Sequence, residues 1–199
     1  MTVKFDASTV KKLRDATGAG MMDCKKALQE TDGAFEEAVE YLRKKGIDKA
    51  QKRSSRTAKE GIIQTYIHQG SKIGVMVEVN CETDFVARNE DFQRFTKDVA
   101  MHIAASSPKY VSGDEVPQDF IEKEKEVFRA QVGDKPENVM EKILEGKVEK
   151  LKEEICLLNQ PFIKDPDKTI QDYLTETLSK IGENIRISRF ARFEVGSEE

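Results

Sequence analysis

The sequence predicts an α+β protein: an N-terminal module of three short helices, then a core with a small antiparallel sheet covered by helices and a projecting helical hairpin. Three patterns predict it. Apolar residues fall at helical spacing within the first 46 residues. Strict alternation marks the stretch from Ile63 to Val79. Two charged segments with narrow apolar stripes lie between Pro117 and Ile155.

The first helix is expected to be capped by Ser8 or Thr9, to turn Val10 and Leu13 inward, and to end at Thr17-Gly18-Ala19-Gly20. A second carries Met21, Cys24, Ala27 and Leu28. The third places Phe35, Ala38, Val39 and Leu42 at i, i+3, i+4 and i+7, with Asp32 as N-cap and Gly46, after Lys44-Lys45, as C-cap. So small a core is marginal alone, so residues 1–46 should be tethered to something larger.

Residues 47–60 then read as a linker, with part of it helical as one reading. The basic stretch over 44–60 holds Lys44, Lys45, Lys49, Lys52, Arg53, Arg56 and Lys59, interrupted by Ser54-Ser55. A solvated connection explains this run. Contact with RNA or the ribosome is the alternative, in which the chain would be an RNA-associated adaptor.

The core, 61–199, opens with a β-hairpin. Ile63, Thr65 and Ile67 alternate, Gln69-Gly70-Ser71 turns the chain, and Ile73, Val75, Val77 and Val79 alternate again. A helix follows from an Asn89 N-cap to Ser106, with Phe92, Phe95, Val99 and Ile103 on one face, and Pro108 closes it. The hairpin at about 117–155 pairs a helix bearing Phe120, Ile121, Val127 and Phe128 with one bearing Met140, Ile143, Leu144, Val148, Leu151 and Ile155. Gly133-Asp134-Lys135-Pro136 joins them, and Gly146 is a weak point inside. A short strand or extended stretch near Cys156–Leu158, a loop through Gln160-Pro161-Phe162, a helix over 169–181 and a strand over 185–195 complete the core. Phe190 breaks the parity of Ile185 and Ile187, which calls for a bulge near 188–191 or for two apolar faces.

Composition narrows the function. With 33 Lys and Arg against 37 Asp and Glu, a net charge of −4 gives no general affinity for polyanions. No run of 18 apolar residues is present, so no spanning helix is expected, and the N-terminus has no apolar signal segment. Three scattered cysteines point to a reducing compartment, hence the cytoplasm.

Catalytic chemistry is not legible. Gly18-Ala19-Gly20 followed by Lys25-Lys26 lacks the Gly-Lys-Ser/Thr ending of a phosphate loop, so no direct nucleotide binding is expected. No two of Cys24, Cys81, Cys156, His68 and His102 have metal-ligand spacing, and Cys81 has no visible base. The absence of tryptophan argues against a base-stacking platform. The reading is a protein without catalytic residues, cofactor or metal.

Two segments carry information. In Leu13–Leu28, the adjacent Met21 and Met22 cannot both face one small core, so one should offer an adaptable contact surface. In Glu78–Asn89, the stretch Thr83-Asp84-Phe85-Val86 joins a core strand to a helix. There Phe85 either tucks under the helix or forms a protruding wedge with a carboxylate beside it.

Together these segments resemble the paired motifs of the bacterial elongation factor Ts family, the nucleotide-exchange factors for elongation factor Tu. Ala100–Ser106, Asn159-Gln160-Pro161-Phe162 and Arg192-Phe193-Glu194-Val195-Gly196 also resemble family segments. The resemblance implies that residues 1–46 are ubiquitin-associated-like and touch the nucleotide-binding domain of Tu, with Leu13, Met21 and Met22 as the contacts. It implies that Thr83, Asp84, Phe85 and Val86 enter beside the nucleotide and dislodge Mg²⁺, and that the hairpin and the Gln160–Phe162 region either contact Tu or shape the core. Longer members carry two related core halves, whereas this chain fits one. The expectation is a homodimer whose second copy covers the exposed sheet edge and apolar face, with a Cys81 or Cys156 crosslink conceivable but secondary.

Overall fold

The computed structural model describes residues 5–53, 55–133 and 135–197, and only the backbone of 49–51. Ser54, Asp134 and the side chain of Lys49, named above, lie outside the described residues. The fold is α+β. The chain divides into two compact units, one of Met1–Ile62, Asn80–Phe95 and Leu174–Arg186, the other of Ile63–Val79, Thr96–Tyr173 and Ile187–Glu199.

The first unit begins with α1 (Ala7–Thr17), α2 (Met21–Glu30) and α3 (Phe35–Arg53). Val10, Leu13, Cys24, Ala27, Leu28, Ala38 and Leu42 form their shared core. The cap of α1 is Asp6, not Ser8 or Thr9: its carboxylate accepts the Thr9 backbone N–H at 2.8 Å. That bond, and then those from the Thr9 and Ser8 hydroxyls, lower its pKa to about 2. Asp32 is not the cap of α3 either; it lies in the preceding turn at φ +50°. Nor does α3 stop at Gly46. It runs on to Arg53, through half of the stretch expected to be a linker. A Cβ at Gly46 would lie 2.9 Å from Ser179 Oγ, so this glycine marks a close approach inside the helix and not its end.

In the second unit the odd residues of β2 (Ile73–Cys81) supply the buried row, with Val75, Val77 and Val79 almost fully enclosed. The three-stranded sheet has the order β1-β2-β5, with β1 spanning Glu60–Ile67 and β5 Ile185–Glu194. The 68–72 connection is too short for a crossover, so β1 and β2 are antiparallel. Ile63 and Ile67 belong to the exposed row of edge strand β1, on the same face as Met76. Along β5 the covered parity changes from odd to even at Ser188, where the sequence called for an irregularity.

The helical hairpin consists of α6 (Gln118–Val132) and α7 (Glu137–Ile155); earlier in the chain come the one-turn α4 (Asp84–Ala87) and α5 (Glu90–Ser106). Val116, Ile121, Val148, Ile155 and Cys156 make its inner cluster, flanked by Tyr110, Phe120, Phe128 and Leu151. Lys147 Nζ stands 5.0 Å from the centroid of the Phe128 ring. Val127 leaves the expected stripe and is half exposed. Nothing lies within 4 Å of a Cβ built on Gly146. Gly146→Ala is therefore expected to stabilise the protein by about 0.5–1 kcal/mol, read as a higher urea midpoint at unchanged slope.

The loop expected at Gln160–Phe162 is instead a small antiparallel ladder of β3 (Pro161–Phe162) and β4 (Asp165–Thr169). The strand expected near Cys156 shrinks to one bridge with Tyr110 and a 3-10 turn over Leu157–Asn159. Helix α8 (Ile170–Ile181) follows.

Gln160 is a buried crosslink. Its Nε2 donates to the Glu154 carbonyl at 2.7 Å and its Oε1 accepts from His102 Nε2 at 2.9 Å. His102 Nδ1 in turn accepts the Ile163 N–H at 3.4 Å, so the imidazole is held neutral. Burial lowers its pKa from 6.5, with the Gln160 bond opposing. The unfolded chain therefore takes up this proton first, and stability should fall as pH drops through 6.5. Urea midpoints at pH 7.5 and 5.5 check this: His102→Gln should be less stable at pH 7.5 but flatter with pH, and an unchanged slope would refute it.

Candidate functional site

The site is a turn at the end of β2, within the first unit. Cys81 closes the strand fully buried, its thiol donating to the Thr83 carbonyl at 3.1 Å. Burial, and then the charge of Glu183, push that thiol up to about 11. It stays protonated at neutral pH, so the notion of a Cys81 nucleophile has no physical support.

Thr83 is the N-cap of α4, its hydroxyl accepting the Val86 N–H at 3.4 Å. Glu183, 100 residues further on, grips the same threonine at two points. Its Oε1 accepts the Thr83 hydroxyl at 2.8 Å and its Oε2 accepts the Thr83 N–H at 3.1 Å. The neighbouring pair repeats the tie in the opposite sense: Glu82 Oε1 accepts the Asn184 N–H at 2.6 Å. Asn184 Nδ2 also donates to the Arg56 carbonyl at 2.7 Å. Residues 82–83 and 183–184 are thereby crosslinked by three hydrogen bonds, and a fourth ties Asn184 to Arg56.

On this base α4 sorts its side chains by face. Val86 and Ala87 are buried and anchor the turn. Phe85 points outward and is 79% exposed, so it does not tuck under the following helix. Asp84 pairs with Arg88 at 2.9 Å across one turn, both side chains in solvent. Such an exposed pair is worth only about 0–1 kcal/mol, so a partner can take the carboxylate over at small cost. Asn89 then caps α5 as expected, accepting the Asp91 N–H at 2.8 Å. The result is an aromatic ring beside a carboxylate on a braced turn.

The other expected contacts divide. Gly18 ends α1 at φ +67°, donating its N–H to the Arg14 carbonyl at 2.7 Å. Extended Gly20 starts α2, and Met21 and Met22 emerge there 44% and 74% exposed. Both face outward, where the sequence required only one. Leu13 is fully buried in the three-helix core, so it offers no surface of its own. Glu183 and Asn184 were not singled out by sequence reasoning; Gly182 after the apolar helix signals only a turn there.

A family model described as "Elongation factor TS" matches residues 3–197. The chain belongs to the elongation factor Ts family. It is 60% identical over 196 residues to the elongation factor Ts of Geobacter sulfurreducens, covering 98% of this chain and 91% of that protein. To that of Thermodesulfovibrio yellowstonii it is 59% identical, covering 96% of each. To that of Desulfosudis oleivorans it is 57% identical, covering 96% and 98% respectively. The match spans both the Met21-Met22 turn and the Phe85 turn. Among the described residues, no helix is long and apolar enough to cross a membrane.

Proposed function

We infer that the chain promotes release of GDP from elongation factor Tu and leaves Tu free to bind GTP. The supporting observation is the exposed Phe85 ring on a turn braced at Thr83. Phe85 is the wedge, and its burial in Tu contributes about 1.5–3 kcal/mol. Asp84 would compete for the hydrogen bonds that hold the magnesium ligands of Tu in place, so that the ion's hold there weakens. Thr83 and Val86 hold the turn in shape. Met21 and Met22 dock on the nucleotide-binding domain.

No covalent step is required, so the protein acts without catalytic residues or a cofactor of its own. Its action follows from linkage: if it and GDP·Mg²⁺ each weaken the other's hold on Tu, either one drives the other off by the same free energy. The site of action is the cytoplasm, where translation occurs. The rival RNA contact is weakened by neutralisation within the basic stretch. Lys44 pairs with Glu40 and Lys45 with Asp23, each at 2.8 Å.

The protein also acts as a homodimer. In the second unit, Ile63, Ile67, Met76, Phe193 and Val195 lie 49–73% exposed. The Glu78–Arg189 pair at 2.7 Å and the Val195 N–H bond to the Lys72 carbonyl at 2.9 Å register β5 so that Phe193 shares the face of Met76. A second copy covers this face with the same residues, as a two-fold axis requires. Cys81 and Cys156 are fully buried and take no part in this contact.

Size-exclusion chromatography tests the exchange role. The protein should co-elute with nucleotide-free Tu and be displaced by excess GDP and Mg²⁺. A complex indifferent to both would contradict the linkage.

A further inference from the structure

The first unit brings two glycines of the three-helix module onto consecutive residues of α8. A Cβ built on Gly46, inside α3, would stand 2.9 Å from Ser179 Oγ. One built on Gly18, at the end of α1, would touch the stem of Lys180, at 3.5 Å from Cδ and 3.6 Å from Cγ. The Lys180 ammonium then reaches Asp91 Oδ1 at 2.8 Å, in the first turn of α5, seven positions from Asp84. One side chain therefore lies against the loop that presents Met21 and Met22 and pairs with the helix that follows the Phe85 turn. Ser179 adds an independent sign of close packing: its hydroxyl is buried with no hydrogen-bond partner among the described residues. A buried hydroxyl left unpaired is unfavourable, so its surroundings are held by packing and not by polar bonding.

We propose that Ser179 and Lys180 are positioning residues, a platform that fixes the methionine turn relative to the Phe85 turn so that both reach Tu as one preorganised surface. This rests on the exchange reading above and adds to it the device that couples the two contacts. Neither residue need touch Tu. A module swinging freely on its connection would present its second contact at an effective concentration set by the tether, whereas a docked one presents it in place. Loosening the platform therefore costs affinity and leaves the rate within the assembled complex intact. Removing the wedge does the opposite.

The two signatures separate in the dependence of stimulated GDP release on protein concentration. Gly46→Ala, which forces a Cβ against Ser179, should raise the half-saturating concentration by about tenfold with a maximal rate within about twofold of wild type. Lys180→Met keeps the stem on Gly18 and loses the ion pair, and should shift it by about twofold to fivefold. Ser179→Ala alone trims the platform but keeps its Cβ against Gly46, and should shift the half-saturating concentration by less than about twofold. Combined with Gly46→Ala it makes room for the new methyl and should restore the wild-type value, a rescue that general destabilisation would not give.

Spin labels on exposed Lys26→Cys and Glu90→Cys give a readout that does not depend on Tu, because Cys24, Cys81 and Cys156 are buried. Their distance distribution should be narrow in the otherwise unaltered protein, broad with Gly46→Ala, and narrow again with the double substitution. A distribution that stays equally narrow with Gly46→Ala, or a loss confined to the maximal rate, would overturn the platform. A protein with no effect on Tu would instead overturn the exchange reading, and the labels would still decide the docking.

Discussion

Phe85→Ala lowers the maximal rate of stimulated GDP release by about 10–100-fold, the loss expected when about 1.5–3 kcal/mol of ring burial disappears from the opened Tu complex. The fold should hardly notice. A side chain 79% exposed contributes little to its own protein, so the unfolding midpoint should move by less than about 0.5 kcal/mol equivalent. Asp84→Ala should act in the same direction but less, about threefold to tenfold, because it removes one polar contact and no apolar area. Glu183→Ala is the informative companion. It leaves the ring in place but removes both acceptors of Thr83, so release should slow although every proposed contact residue is present. Stopped-flow fluorescence of labelled GDP on Tu, beside far-ultraviolet circular dichroism, separates these effects from unfolding. Normal release by Phe85→Ala would remove the wedge from the mechanism.

Phe193→Asp should convert the proposed dimer to a monomer, and sedimentation at micromolar concentration should show the change directly. The substitution places a charge within an apolar face, and twice per proposed dimer because two copies related by a two-fold axis present the same row. Such a buried, uncompensated charge costs about 3–5 kcal/mol, which weakens association by more than about a hundredfold. The same side chain is solvent-exposed within one copy, so the isolated fold should survive. Ile67→Asp, on the other outer strand, should give the same result if the whole face takes part. Wild-type protein sedimenting as a monomer at that concentration would contradict the dimer without touching the exchange role.

What the sequence disclosed follows the reach of local patterns. The long periodic stretches, α5 behind its Asn89 cap and the paired α6 and α7, were legible because each repeats its signal over three turns or more. So was the buried row of β2. Elements too short to show a period were missed: α4 has four residues and β3 only two. Gly46 misled because a glycine after two lysines looks like a helix end. Only the distant Ser179 reveals that it answers to a neighbouring helix. The apolar row of β1 gave its alternation but not its destination, since an exposed apolar row alternates in sequence just as a buried one does.

The candidate site divides along the same line. The aromatic and acid of the turn were visible from their position between strand and helix, and the structure decides between tucked and exposed in favour of exposure. The brace was invisible. Glu183 meets Thr83 across 100 residues, and no local spacing encodes such a meeting. Leu13, grouped with the methionines by their shared segment, is instead buried in the three-helix core.

Fluorescent GDP preloaded on Tu in the presence of Mg²⁺, mixed rapidly with excess unlabelled nucleotide, tests the central idea most directly. With this protein present, release should accelerate by orders of magnitude and saturate with its concentration, while raising Mg²⁺ should oppose it. An identical trace with and without the protein would contradict the account.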